Sequence, residues 1–104
     1  IEHMSFEQLI TLFDQCLRVL KPGGKVIFET PNPENITVGA YSFYIDPTHK
    51  NPLPPITVEF IARQRGYRII DIYRYNPREE PGKQSLLTSN WFCNPVDYAV
   101  IAEK

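Results

Sequence analysis

Leu17-Arg-Val-Leu-Lys-Pro-Gly-Gly-Lys-Val-Ile-Phe-Glu-Thr-Pro-Asn-Pro-Glu-Asn35 is the stretch that decides the fold. A helix ends at the Pro-Gly-Gly turn, because proline cannot continue it and glycine accepts the backbone angles of a helix end. Val26, Ile27 and Phe28 follow as consecutive apolar residues. Such a run predicts a strand over 25–30 buried on both faces, as in a parallel sheet. The strand stops at a polar, proline-rich loop. Loops at the carboxyl ends of parallel strands are where open α/β sheets bind their ligands.

Upstream, Phe6, Leu9, Ile10, Phe13, Cys16, Leu17 and Leu20 recur at helical spacing, which predicts an amphipathic helix over 5–20. Ser5 is placed to cap it, Gln8 to close a capping box, and Met4 to staple onto Leu9. Downstream, residues 31–54 read as a long loop, and loops of that length are uncommon unless functional. Its interior, 37–45, has room for a short helix. Ile56, Phe60 and Ile61 predict a second helix over 55–65 with Gly66 as its stop. Arg68–Tyr75 reads as a strand, 76–95 as a second polar excursion, and Asp97–Ala102 as the last strand.

Composition narrows the function classes. The 104 residues suit one domain or part of one, and 42% hydrophobic with 22% charged residues is ordinary for a globular chain. A net charge of −1 gives no electrostatic reason to expect nucleic acid or an anionic membrane as partner. No apolar run approaches the roughly 20 residues that span a bilayer. No basic start before an apolar core marks a signal peptide, so the cytoplasm is the expected location. Cys16 and Cys93 lack a close spacing, and Cys16 reads as a small buried hydrophobe. Arg63, Arg65, Arg68, Arg74 and Arg78 are interleaved with Glu59, Asp71, Glu79 and Glu80, which points to a solvated surface rather than a basic face. Tyr73, Tyr75, Trp91 and Phe92 are expected to cover the end of the sheet.

The order is helix, strand, helix, strand, strand. No strand precedes the first helix, and a strand buried on both faces needs neighbours that two further strands do not supply. The expectation is therefore an incomplete α/β domain over residues 1–104. It would be completed by further sequence before Ile1 or by association with another chain.

Three segments carry a resemblance: Ile1-Glu-His-Met-Ser-Phe-Glu-Gln-Leu9, Arg18-Val-Leu-Lys-Pro-Gly-Gly24 and Phe28-Glu-Thr-Pro-Asn-Pro33. Together they resemble the second half of class I S-adenosylmethionine-dependent methyltransferases. Phe43-Tyr-Ile-Asp-Pro-Thr-His49 adds a likeness to a subgroup of predicted methyltransferases. The resemblance covers essentially the whole chain. It implies the C-terminal portion of a Rossmann-like fold, ending in an antiparallel hairpin whose last strand, Asp97-Tyr-Ala-Val-Ile-Ala102, inserts beside the strand at 25–30. It also implies transfer of a methyl group to a small-molecule acceptor. That family holds S-adenosylmethionine mainly on a glycine-rich loop after its first strand, and no GxGxG occurs here. Gly23-Gly24 ends a helix rather than opening one, so this chain alone is not expected to bind the cofactor.

The resemblance places Glu2 and His3 near cofactor and acceptor; the alternative is a frayed terminus. Glu29, Asn32 and Asn35 lie at or past the end of the strand, where polar side chains either meet a substrate or build turns. Tyr44, Asp46 and His49 share the long loop. Histidine changes charge near neutral pH and suits proton removal from a hydroxyl or amine, with Asp46 orienting it. The other reading is an Asx turn at Asp46-Pro47 beside a surface histidine. His49 is thus the candidate catalytic residue, and Asn32, Tyr44, Asp46 and Glu29 the candidate substrate contacts. Two histidines without tight spacing give no reason to expect a metal site from His3, His49 and Asp46. A non-catalytic module for dimerisation or docking remains the second reading.

Overall fold

The computed structural model describes residues 1–77 and 94–104. Arg78, Glu79, Glu80, Trp91, Phe92, Cys93 and most of the expected polar excursion lie outside the described residues. The first helix, α1, spans Phe6–Val19. Strand β1 covers Lys25–Pro31, α2 covers Ile36–Ala40, and a 3₁₀ turn covers Ser42–Ile45. Then come α3 at Pro55–Gln64, β2 at Arg68–Pro77 and β3 at Pro95–Glu103. The sheet order is β1-β3-β2, and both pairings are antiparallel.

Helix α1 starts as the sequence predicts. The Ser5 side chain accepts from the Gln8 N–H while the Gln8 side chain accepts from the Ser5 N–H, so two of the orphan donors of the helix start are satisfied. Its inner face brings Leu9 and Phe13 against Phe28 of β1, the two phenyl rings 4.3 Å apart. Phe6, at the edge of the predicted stripe, is 60% exposed. Tyr67 stands edge-on to both rings and donates its hydroxyl to the Phe13 carbonyl at 2.6 Å. Burial pushes that hydroxyl's pKa up to about 12.

Two expectations need correction. Helix α3 buries Pro55, Val58, Ile61 and Ala62, while Ile56 and Phe60 face solvent. Its sequence carries two apolar stripes, and packing on the sheet selects the one containing Val58 and Ala62. Gly66, at φ +106°, ends the helix as expected. The other correction concerns β1, which among the described residues is covered by helices on one face only. Phe28 and Thr30 are buried, but Ile27 is 58% exposed. All described pairing is antiparallel, so the parallel sheet expected from the apolar run is not seen among the described residues.

The physical reason is that α1 and α3 pack on the same sheet face, against Phe28, Tyr98, Val100 and Ala102. On the opposite face Tyr73 and Tyr75 stack on one another, and Tyr73 is largely exposed. Along the outer edge of β1 runs a groove of about 490 Å³ lined by Ile1, Leu12, Cys16, Val26, Ile27, Phe28 and Glu29. Cys16 is half-buried there beside the core, close to its expected place.

The interior of the long loop does fold, into α2 and the 3₁₀ turn. Gly39 is required where α2 crosses the preceding chain, since a Cβ there would lie 2.8 Å from the Pro33 carbonyl oxygen. Charged side chains pair across the surface: Arg63 with Glu59, Arg65 with Asp14, Arg68 with Glu103 and Arg74 with Glu34. Exposed pairs of this kind contribute little stability.

Tyr98, in the middle of β3, is fully buried and donates its hydroxyl to the Leu53 carbonyl at 2.5 Å. Tyr98→Phe leaves that carbonyl without its donor in an apolar surrounding. The substitution is expected to cost about 1–3 kcal/mol, read as a lower urea midpoint with an unchanged slope. A variant as stable as the parent would show that the bond adds nothing.

Candidate functional site

The loop after β1 and the segment before α1 meet at the carboxyl end of β1. The Lys50 N–H donates to the Glu2 carbonyl at 2.8 Å, which brings 1–3 alongside 48–50. Glu2 is the hub. Its Oε2 accepts from the Thr30 hydroxyl at 2.9 Å and from the Ile1 ammonium at 3.0 Å. Its Oε1 lies 3.4 Å from His3 Nε2 and 3.7 Å from His49 Nε2. Burial pushes the Glu2 carboxyl up, but hydrogen bonds from its own backbone N–H, the ammonium and Thr30 outweigh this and hold it below the usual value.

The two imidazoles are fixed by their other nitrogens. His49 Nδ1 lies 2.6 Å from the Phe43 carbonyl. A carbonyl can only accept, so Nδ1 carries a proton. The His49 ring also packs at 4.7 Å from the Phe43 ring and is mostly buried. His3 Nδ1 lies 2.8 Å from the Thr48 hydroxyl and 3.3 Å from the Thr48 carbonyl. That hydroxyl donates to Asp46 Oδ1 at 2.6 Å, so its oxygen accepts from His3 Nδ1–H. Both rings, when neutral, therefore present the lone pair of Nε2 to Glu2. The rings themselves meet edge to face at 4.7 Å.

Asp46 forms the Asx turn, its Oδ1 accepting from the Thr48 N–H at 2.8 Å. Its Oδ2 lies 3.6 Å from His49 Nε2, not beside Nδ1. The group that orients His49 is the Phe43 carbonyl, in place of the carboxylate expected from the sequence. Tyr44 is 59% exposed and touches the Phe43 ring.

Asn32 and Asn35 are fully buried. Asn32 donates to the Pro95 carbonyl and accepts from the Glu34 N–H. Asn35 caps α2 through the Thr37 and Val38 N–H groups and donates to the Asn94 carbonyl. Both side chains bind the loop after β1 to the start of β3. Glu29 projects to the opposite face of β1 from Thr30, toward the edge groove, and does not join the histidine cluster. Nothing in the sequence marks the Phe43 carbonyl, whereas the Asp-Pro-Thr order is the signal that marks Thr48 as the partner of Asp46.

Among solved structures the chain is similar to the crystal structure of a SAM-dependent methyltransferase from Archaeoglobus fulgidus, with a TM-score of 0.83 and 29% sequence identity. The match covers 99% of this chain and 55% of that one, so the chain spans about half the length of that structure. No protein-family model matches the chain. No curated protein matches it either. The fold is thus shared with a SAM-dependent methyltransferase over nearly the whole chain. No helix among the described residues is long and apolar enough to cross a membrane.

Hydrogen bonds from the Thr48 hydroxyl and backbone N–H lower the Asp46 pKa, against a small opposing effect of burial. Lowering of this sign contributes stability above the ordinary aspartate pKa, lost as pH falls through the folded value. Thr48→Ala removes the hydroxyl, the largest of these effects. The Asp46 carboxyl is then expected to titrate at higher pH, closer to an ordinary aspartate, as followed by carboxyl-carbon NMR. An unmoved titration would show that the Thr48 hydroxyl does not hold Asp46.

Proposed function

We propose that this chain is the substrate-side, carboxyl-terminal half of a class I S-adenosylmethionine-dependent methyltransferase with a Rossmann-like sheet. The observation that carries the reading is the fold shared with such an enzyme over 99% of the chain. The histidine cluster at the carboxyl end of β1 agrees with it, since that is where open α/β sheets place their chemistry. This reading places the cofactor cradle neither at Gly23-Gly24 nor at the start of α2. Gly23-Gly24 follows a helix, and the first N–H groups of α2 are already bonded by Asn35. S-adenosylmethionine, held mainly by another half, would supply the methyl group. Glu2 and His3 would border it from this side.

His49 is the residue for proton removal. Its Nε2 lone pair is set by the Phe43 carbonyl, and Glu2 Oε1 stands ready to stabilise the imidazolium that forms. The acceptor is a small molecule with a hydroxyl or amine, flanked by Tyr44 and Asp46. Asn32 supports the loop from beneath. The groove beside β1 and the sheet face with Ile27 and Tyr73, which no helix among the described residues covers, would receive the cofactor half. The same surfaces favour the second reading, an association module without catalysis that pairs with its own copy.

The test joins a glycine-rich cofactor half ahead of Ile1 and compares it with the chain alone. The chain alone is expected to give no saturable S-adenosylmethionine isotherm by calorimetry, and the joined protein a one-to-one isotherm. In single-turnover methyl transfer by the joined protein, His49→Ala is expected to slow the chemical step by about 10²–10⁴-fold. If His49 only positions the acceptor, apparent acceptor affinity weakens instead. Unchanged rate and affinity would remove His49 from the mechanism. A joined protein that binds no cofactor, with a chain that dimerises by sedimentation, would favour the association module.

A further inference from the structure

We propose that Glu2, His3 and His49 form a binding site for a divalent transition-metal ion, with Zn²⁺ the best match. One ligand atom from each of the three lies within 4.8 Å of the others. Two separations, 3.4 and 3.7 Å from Glu2 Oε1 to the two Nε2 atoms, are already short. Ligand atoms held at about 2.1 Å around a tetrahedral zinc stand roughly 3.4 Å apart. The remaining closure is a small rotation of His3, whose side chain is 50% exposed. Asp46 Oδ2, 3.6 Å from His49 Nε2, is a fourth ligand atom within reach.

The groups that hold the far nitrogen of each imidazole point the same way. Metal-binding imidazoles as a rule donate the other ring N–H to a carbonyl, carboxylate or hydroxyl, which fixes the tautomer and aims the free nitrogen. Here both rings do so. His49 Nδ1 is held by the Phe43 carbonyl, and His3 Nδ1 by the Thr48 hydroxyl, itself anchored on Asp46. Two Nε2 lone pairs face one carboxylate oxygen, an arrangement that a cation bound between them satisfies. Paired imidazoles select zinc, cobalt or copper over magnesium and calcium, which require oxygen ligands. Three protein ligands with a flanking carboxylate leave room for a further ligand, the pattern of open rather than structural zinc sites. His3 on the surface provides the entry path.

The inference uses the side chains of the proposed active site but does not depend on methyl transfer. Ion and proton compete for the same Nε2 lone pair, so a bound Zn²⁺ removes His49 as a base. The test reads binding alone. The 104-residue chain is stripped with a chelator and titrated with Zn²⁺ by calorimetry, and with Co²⁺ by visible absorption. One ion per chain is expected, with the intense bands of a low-coordinate Co²⁺ site. Glu2→Gln and His3→Ala are each expected to weaken affinity at least about tenfold, and Thr48→Ala, which removes the hydroxyl that holds both His3 and Asp46 but no ligand of the three, by about 10–100-fold. His49→Ala loses a ligand too, but also loosens the Phe43 contact. His3→Ala, on the surface, therefore carries the decision, with circular dichroism confirming the fold. A Cys16→Ser/Cys93→Ser double variant is expected to bind as the parent does. No saturable uptake overturns the site. So does uptake that survives His3→Ala and Glu2→Gln, or that disappears with the cysteines.

Discussion

The hydrogen bond from the buried Tyr98 hydroxyl to the Leu53 carbonyl joins the two parts of this molecule. On one side is β3, the strand paired along both edges. On the other is the segment that carries Asp46, Thr48 and His49. Asn32 and Asn35 reinforce the link by reaching the carbonyls of Pro95 and Asn94 at the start of β3. The polar loop therefore has a rigid base, and a rigid base allows side chains distant in sequence to hold a fixed geometry. Burial raises the Tyr98 hydroxyl pKa, so the donor stays protonated throughout the ordinary pH range.

The sequence is most legible where local rules and tertiary packing agree. In α1, the Ser5–Gln8 capping box and the Leu9–Phe13 repeat follow from nearest-neighbour chemistry, and packing on Phe28 uses the same face. The antiparallel pairing of the last two strands was likewise expected and is present. Legibility fails where more than one face is apolar. Ile56 and Phe60 carry as strong a helical period as Val58 and Ala62, and only the position of the sheet chooses between them. The Val26-Ile27-Phe28 run looks buried on both sides, yet Ile27 meets no helix among the described residues. Its apolar character fits a surface that another element covers in the complete sheet of our proposal.

The site was legible residue by residue but not as a cluster. Glu2, His3, Asp46 and His49 each stand out as chemistry-bearing groups. Nothing in their spacing shows that the Lys50–Glu2 backbone bond draws them together. The role of Asp46 differs for a physical reason: its Oδ1 is taken by the Asx turn with Thr48, which leaves orientation of His49 to a backbone carbonyl. Backbone carbonyls carry no sequence signal. Asn32 shows the opposite ambiguity, since a buried amide that satisfies two backbone groups and a substrate-binding amide look identical in sequence.

Two imidazoles aim their Nε2 lone pairs at one carboxylate because their Nδ1 protons are held elsewhere. Both proposals, proton removal by His49 and metal capture by the cluster, draw on that geometry. Long-range ¹H–¹⁵N NMR of the imidazole rings, recorded at a pH where both are neutral, measures it directly. His3 and His49 are each expected to carry their proton on Nδ1, with Nε2 showing the shift of an unprotonated nitrogen. A proton on Nε2 of either ring would overturn this geometry, as would tautomers averaging freely as in an exposed imidazole.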